Sequence, residues 1–380
     1  MGVLAALLSQ PTAPEPAPAR ETITVDQSGN YSKSFYTDPH DDFYMPANRK
    51  ELHNVLDVPD GYAITGDVTY RNRELVNGGS VTAFTYKFRE VPKPLDIDDL
   101  AERVAKAPPA NPIHGAGPHW FVFQAGDLQL GKIARDGSTE QIVETYMQSV
   151  RAAVVEYESL SDEFGVSGVQ LSFPGDCMEG VVSQGGRNIW LTQETITEQT
   201  RIFRRLLLWT VDQFAPIANH VYVDVVNGNH DEANRQVNTK PGDGWATECA
   251  IALSDAMELN PEAYGHVEVR VPDSWCGHMT VPVGDSLVTV AHGHQWRRGK
   301  GMGWWAEQAL NLQSPTTSGV LQHGHIHTYE IETTRDRTRI SSPTFDTGSD
   351  WFREIRGGDS KLGGLVYLLR SNEISRVSLV

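Results

Sequence analysis

From residue 119 onward the apolar positions fall into short unbroken runs, each closed by a polar turn, and the runs alternate with stretches of helical spacing. "HWFVFQAGD" (119–127) reads as a strand ending in a turn, and 138–164 carries apolar residues at the period of a helix. "VSGVQLSFPGD" (166–176) is another strand closed by Gly-Asp, 194–216 is a long amphipathic helix, and "HVYVDVVNGNHDE" (220–232) is again a strand with a polar end. "SLVTVAHGHQ" (286–295) and "SGVLQHGHIHT" (318–328) repeat the pattern. Strands alternating with helices predict an α/β fold. Upstream the texture differs. Residues 22–92 hold short β-like runs, and "DVTYRNREL" (67–75) and "SVTAFTYKF" (80–88) around "VNGG" predict a hairpin. The expected organisation is a flexible tail over 1–21, a small β-rich module over 22–92 serving packing or assembly, a linker with a short Pro-flanked amphipathic helix over 93–117, and a larger domain over 118–380.

The chain has 380 residues, more than one core comfortably fills, which agrees with a large domain plus a smaller one. Its formal net charge of −17 argues against a non-specific grip on long phosphate backbones, unless metal ions supply positive charge locally. Three widely spaced cysteines, Cys177, Cys249 and Cys276, form no CxxC pair; this disfavours a disulfide scaffold or thiolate zinc site and suits a reducing compartment. No apolar run reaches the ~20 residues a membrane helix needs. The opening "MGVLAALLSQ" lacks a basic segment before its apolar patch, so no signal peptide is expected and the cytoplasm is the expected location.

The chemistry lies at the strand ends. In chain order they deliver Asp127 with Gln129, Asp176, Asn229 with His230, His292, and His325 with His327. Singly each has a plain reading: Gly-Asp after a strand is commonly a turn or helix cap, and Asn229 suits a left-handed turn. Five strand ends with such groups, where open α/β sheets place ligands, point to a metal site. Oxygen and imidazole donors without thiolate suit Mn, Fe or Zn. Two metals ~3.5–4 Å apart would stabilise both the attacking and leaving oxygens of a displacement at phosphorus, and Asp176 is placed in the series to bridge them.

The ordered set "GDLQ" (126–129), "GD" (175–176), "GNHD" (228–231), "AHGH" (291–294) and "GHIH" (324–327) resembles the signature of the calcineurin-like binuclear metallophosphoesterases over roughly 118–350. The resemblance implies a two-sheet β-sandwich core flanked by helices. It implies two divalent metals, Mn favoured over Fe, Zn or Mg, with Asp127, Gln129, Asp176 and His327 on one and Asp176, Asn229, His292 and His325 on the other. His230 would protonate the leaving oxygen or stabilise the phosphoryl transition state, oriented by Asp231, with a hydroxide between the metals as nucleophile. Gln129 stands where the family has histidine. Either its amide is a weaker ligand that biases the site toward Mn, or it only hydrogen-bonds to water or substrate.

"DLQLGK" (127–132), "GDCMEG" (175–180), "NPEAYGHV" (260–267) and "FDTGSDWF" (345–352) resemble the SbcD-type double-strand-break repair nucleases and their actinobacteriophage-encoded relatives, which implies a DNA nuclease, exo- or endonucleolytic, in a phage-infected host's cytoplasm. In "HQWRRGKGMGWW" (294–305), Arg297, Arg298 and Lys300 with Trp304 and Trp305 could hold a backbone and stack a base, or could form a surface loop whose tryptophans pack onto the fold. Lys132 and Arg135 could contact phosphate or be solvated; Glu179 could orient a site residue or be a turn residue; Asp346 and Asp350 read as turn residues. The alternative function is a phosphatase or phosphodiesterase of a small or nucleotide substrate. No P-loop is present, so an ATPase partner of the SbcD kind would be a separate chain, and a homo-oligomer is possible. Fewer residues follow "DWF" here than the nuclease pattern provides for docking such a partner and duplex ends.

Overall fold

The computed structural model describes residues 21–25, 31–39, 41, 45–46, 49–59, 62–76, 78–90, 97–112, 116–133, 137–181, 192–234, 239–346, 354 and 360–380. The expected tail over 1–21 lies outside them up to residue 20, its last residue, Glu21, being the first of a strand, and Arg135 and Asp350 lie outside them as well. The chain divides into two compact units between Leu95 and Asp96.

The first unit is a four-stranded antiparallel sheet in the order β1-β2-β4-β3, from β1 (Glu21–Val25), β2 (Tyr31–Thr37), β3 (Tyr62–Glu74) and β4 (Ser80–Glu90), with helix α1 (Arg49–Val55) before β3. The expected hairpin is β3–β4, paired from Tyr62↔Glu90 to Glu74↔Ser80, with β3 beginning earlier than its alternating stretch suggested. Leu56, Val58, Ile64, Phe84 and Tyr86 form its core. The buried Lys33 donates to Val55 O at 3.1 Å and pairs with Asp57.

The second unit opens with α2 (Ile97–Ala105), the helix expected within a linker. Instead Val104 is fully buried in the unit's core, and Asn260 Nδ2 donates to Val104 O and Ala107 O at 2.9 Å each. Next come β5 (His119–Gln124), α3 (Thr139–Phe164), β6 (Val166–Pro174), α4 (Ile196–Phe214), β7 (Val221–Val226), α5 (Trp245–Met257), α6 (Pro261–Tyr264) and β8 (Val267–Arg270). They are followed by β9 (His278–Val283), β10 (Ser286–Ala291), α7 (Gly301–Leu310), β11 (Val320–His323), β12 (Glu330–Thr333), β13 (Thr338–Ser341), β14 (Leu365–Arg370) and β15 (Glu373–Leu379).

Two sheets result, in the orders β15-β14-β5-β6-β7-β8 and β12-β13-β11-β10-β9. Strands β5 to β8 run parallel, as do β10, β11 and β13. The pleat explains the layering. On β5, Phe121 and Phe123 face the helices, where they join Ile142, Tyr146, Val150, Ala153 and Tyr157 of α3 in one cluster. Trp120 and Val122 face the other way and meet Val288, Val290, Val320 and Ile340 of the second sheet. On that sheet's outer side Ala291 and Leu321 pack with Trp296 and Trp305 around α7. The fold is therefore the expected α/β sandwich, two sheets flanked by helices.

The helix boundaries follow from caps. Ser138 accepts from Gln141 N, and Gly165 ends α3 at φ 68°, while Thr195 and Glu198 form a reciprocal capping box at the start of α4. Helices α5 and α7, not foreseen in the hydrophobic pattern, lack a side-chain cap and start after Gly244 and Lys300.

A chain of polar side chains runs through the inter-sheet layer. Gln322 Nε2 donates to Gln170 Oε1 (2.9 Å) and to Tyr367 Oη (2.8 Å), and Tyr367 Oη donates to Gln124 Oε1 (3.0 Å). Gln170 donates to Asp224 at 2.6 Å, and Arg270 forks onto the same carboxylate at 2.6 and 2.7 Å.

Candidate active site

Five parallel-strand ends meet along one edge of the sandwich. The loop after β5 continues pairing with the loop after β6: Asp127 N donates to Gly175 O at 3.1 Å, Gln129 N to Asp176 O at 2.9 Å, and Glu179 N to Leu130 O at 2.8 Å. The two carboxylate-bearing loops are thereby held side by side. The ends of β7, β10 and β11 add Asn229 and His230, then His292, then His325 and His327.

The backbone here is unusual. Asp127, Gln129, Asp176, His325 and His327 all have φ between 50° and 69°, half of the ten non-glycine residues in the left-handed region among those described. Each such residue costs on the order of 1–3 kcal/mol and persists where its surroundings enforce it. The motif glycines have a different cause. A Cβ on Gly228 would lie 2.0 Å from Asp176 Oδ1 and 2.2 Å from Asp176 N, and one on Gly324 would lie 2.6 Å from Asp127 Oδ2. Glycine lets each carboxylate press against the neighbouring loop's backbone.

Asp176, His292 and His325 place one donor atom each within 4.8 Å of one another. His292 Nδ1 donates to Pro174 O at 2.9 Å, which turns Nε2 to the cluster, 3.1 Å from Asp176 Oδ2 and 3.2 Å from Asn229 Oδ1. This is the outer-shell arrangement that fixes an imidazole as a ligand. Burial would by itself raise the Asp176 carboxyl, but the His292 and His230 imidazoles more than offset it and hold the acid well below its usual range. Burial likewise works against a charged His292, yet the adjacent Asp176 raises it to about 9. His325 is lowered to about 4, by burial first and then by His292, so its ring is neutral with a lone pair available. A buried carboxylate, two imidazoles and the Asn229 amide oxygen fit a divalent cation, and the oxygen–imidazole mixture suits Mn, Fe or Zn.

His230 sits beside this cluster. Its main-chain N donates to Asp176 Oδ1 at 2.8 Å, its Nδ1 lies 3.1 Å from Glu179 O and 3.3 Å from Glu179 Oε2, and its Nε2 lies 3.9 Å from Asp176 Oδ2. Burial opposes its charge, but Asp176 and then Glu179 outweigh that and raise His230 to about 10.

The role expected of Asp231 is corrected here. Its carboxylate accepts from Gly228 N (2.8 Å), Met178 N (3.0 Å) and Cys177 N (3.2 Å), and it clamps the loop after β6 to the loop after β7. Three backbone donors take up both oxygens, and Glu179 is the acid on His230. Burial and then the nearby Asp176 raise Asp231 to about 6, against the pull of the backbone N–H groups.

Asp127 accepts twice from His325 N, at 3.0 and 2.8 Å, and lies 3.4 Å from His327 Nε2. Gln129 does not stand alone: Lys132 Nζ donates to its Oε1 at 2.8 Å and also pairs with Asp346. Asp346, expected to be a turn residue, is therefore part of the site. The segment before it is tied to Asp127, whose carbonyl accepts from Phe345 N at 3.1 Å and Thr344 Oγ1 at 2.8 Å. No local signal marks Asp346, because its partner Lys132 is 214 positions away.

The tryptophan loop follows the packing alternative. Trp305 is fully buried and donates to Pro315 O at 2.8 Å, and Trp304 lies against Trp296 and the His278 ring. The expectation that Trp304 and Trp305 stack a base is corrected, because their apolar faces cover the outer side of the second sheet. Arg297 and Lys300 are exposed, and Arg298 pairs with Glu330 at 3.0 Å. Beside the cluster lies a cleft of about 420 Å³ lined by residues that include Asn227, Gly228, Lys240 and His294. Lys240 Nζ stands 4.2 Å from the ring centre of the exposed Trp275.

No family model matches the chain, and no curated protein matches it. Among solved structures it is similar to an archaeal phosphodiesterase, at 13% identity over 68% of this chain and 99% of that one, with a TM-score of 0.31. It is also similar to vacuolar protein sorting 29 of Cryptosporidium parvum (14% identity, 69% and 97% coverage, TM-score 0.30) and to the E. coli phosphoesterase YfcE (13%, 68% and 99%, 0.28). Likenesses at these scores carry no weight for function, which rests below on the chain's own residues.

Proposed function

We propose that this protein is a metal-dependent phosphodiesterase. The observation that carries the reading is the convergence of Asp176, His292 and His325 within 4.8 Å, with His230 beside them. Asp176, Asn229, His292 and His325 would hold a divalent cation, Mn before Fe, Zn or Mg. Bound there, it would supply Lewis acidity toward a phosphoryl oxygen and a nucleophile at neutral pH.

The chain's own groups do the rest. His292 is held by Pro174 O so that one nitrogen faces the cluster. His230, raised to about 10, keeps its proton at neutral pH, with Nδ1 engaged by Glu179 and Nε2 directed toward Asp176. It can therefore donate from Nε2 to the oxygen that leaves phosphorus. Asp231 acts one step back, by keeping the Asp176 and His230 loops in register.

For the substrate we favour DNA, on the motif resemblance and on the exposed Arg297 and Lys300 that follow the His292 strand end. A second reading, a nucleotide-sized phosphoester, is favoured by the cleft of about 420 Å³ beside the site and by the net charge of −17. The test incubates metal-stripped protein with linear duplex DNA, single-stranded DNA, cyclic and linear nucleotides and an aryl phosphodiester, adding back Mn, Mg or Zn. Mn-dependent DNA loss abolished by chelator and by His230→Ala supports the nuclease. Turnover of nucleotide or aryl esters with DNA intact selects the second reading, and no ester cleaved with any metal rejects both. In His230→Ala, metal content should be unchanged while turnover falls roughly 10²–10⁴-fold, the usual worth of a positioned acid.

A further inference from the structure

The two sides of Asp176 are built differently. On one side lie His292, His325 and Asn229, the donors of the cation site described above. On the other lie Asp127, Gln129, His327 and Asp346, and among them is a side chain that already carries a positive charge. Lys132 Nζ donates to Gln129 Oε1 at 2.8 Å and pairs with Asp346, whose carboxylate is 3.9 Å from His327 Nδ1. The Lys132 side chain is only 18% exposed and that of Asp346 only 4%.

We infer that the site holds one divalent ion, on Asp176, Asn229, His292 and His325, and that the Lys132 ammonium occupies the place of a second cation and presents a fixed positive charge to the phosphoryl group. This deepens the phosphodiesterase reading and rests on it.

Three observations agree. Gln129 has one atom able to bind a metal, its amide oxygen, and that atom accepts from Lys132. A neutral amide oxygen is a weaker donor than imidazole, and with an ammonium already on it a second dication would meet direct repulsion. Charge then balances locally. The carboxylates of Asp127, Asp176 and Asp346 are matched by one divalent ion and one ammonium, whereas two divalent ions with Lys132 retained would leave a buried excess of positive charge. Among the described residues, the Asp176 cluster is also the one group of three carboxylate or imidazole donors close enough to hold an ion. Lysine suits the role, since its ammonium is a compact point charge that can meet a phosphate oxygen. The left-handed Gln129 and the tight turn Lys132 N→Gln129 O at 3.1 Å direct both side chains to the same spot.

The experiment is metal counting on the full chain. Purified protein is stripped with chelator, reloaded with excess Mn, desalted and assayed for Mn per chain by elemental analysis, and its Mn paramagnetic resonance spectrum is recorded. The wild type should bind about one ion per chain with the spectrum of an isolated Mn centre. Gln129→His combined with Lys132→Ala should bind about two and show the broadened spectrum of a coupled pair. Two ions in the wild type would overturn the inference while leaving the phosphodiesterase reading intact. One ion in a folded double variant would equally overturn it, since Lys132 and Gln129 would then not be what excludes the second. No bound ion in the wild type would reject both the inference and the metal site beneath it. Should the double variant fail to fold, the wild-type count and spectrum decide alone.

Discussion

Asp231 offers a sharp contrast between a residue that orients a catalytic histidine and one that holds two loops together. Its carboxylate is fully buried and accepts from Gly228 N, Met178 N and Cys177 N at 2.8, 3.0 and 3.2 Å. Asp231→Ala strands three buried donors at about 1–3 kcal/mol each, roughly 3–6 kcal/mol in all once non-additivity is allowed for. Against a typical total of about 5–15 kcal/mol, that variant sits near the edge of folding. Asp231→Asn is the informative change. Its single amide oxygen can still serve two donors, while its NH₂ group faces the third, at a cost of about 2 kcal/mol. All nine tryptophans lie after residue 95, so their fluorescence during urea denaturation follows the second unit. With chelator present to remove metal linkage, a 2 kcal/mol loss moves the midpoint down by about 0.5–1 M urea. A clamp predicts that shift, together with weaker metal binding as the Asp176 and Asn229 loops separate. An unchanged midpoint with turnover lost and metal affinity intact would refute the clamp and return Asp231 to the service of His230.

Three further outcomes follow from the same contacts. Glu179→Gln removes an acid that helps keep His230 protonated; since the protonated ring is the acid, activity falls as pH rises through its pKa, and the variant's pH–rate profile should lose activity at lower pH than the wild type on the alkaline side, with metal content unchanged. Gly228→Ala puts a Cβ 2.0 Å from Asp176 Oδ1, so the purified variant should lose its metal by elemental analysis; wild-type occupancy would show that the loop yields easily. Arg270→Met leaves the fully buried Asp224 with Gln170 but without its guanidinium fork, a loss of about 3–5 kcal/mol in urea denaturation. Adding Asp224→Asn should recover much of it, and a single variant as stable as wild type would show that the pair contributes nothing.

What the sequence made legible, and what it hid, divides along the range of the interactions. The strand ends were readable because period and chemistry coincide there: an apolar run stops, and Asp127, Asp176, Asn229, His292 or His325 follows within three residues of the strand's end. The long helices were readable because apolar stripes such as Ile142, Tyr146, Val150, Ala153 and Tyr157 are bounded by local caps. Helix α7 was not, because "GMGWWAEQAL" has neither a side-chain cap nor a wide stripe, and its tryptophans look the same in sequence whether they face solvent or a sheet. The polar layer between the sheets was equally hidden. Gln124, Gln170 and Gln322 occupy inward positions of apolar strands; Gln322 bonds Gln170 across 152 residues of chain, and Gln124 is bonded by Tyr367 across 243. Most telling are Lys132 and Asp346. In sequence one looks like a solvated base and the other like a turn acid, and only the tie of Thr344 and Phe345 to the Asp127 carbonyl brings them together. The same tie gives Gln129 its sense. A glutamine in a histidine's place is a weakened ligand when considered alone, but with an ammonium on its oxygen it becomes one side of a cradle for a fixed cation, and substitutions at 129, 132 and 346 should accordingly be coupled rather than independent.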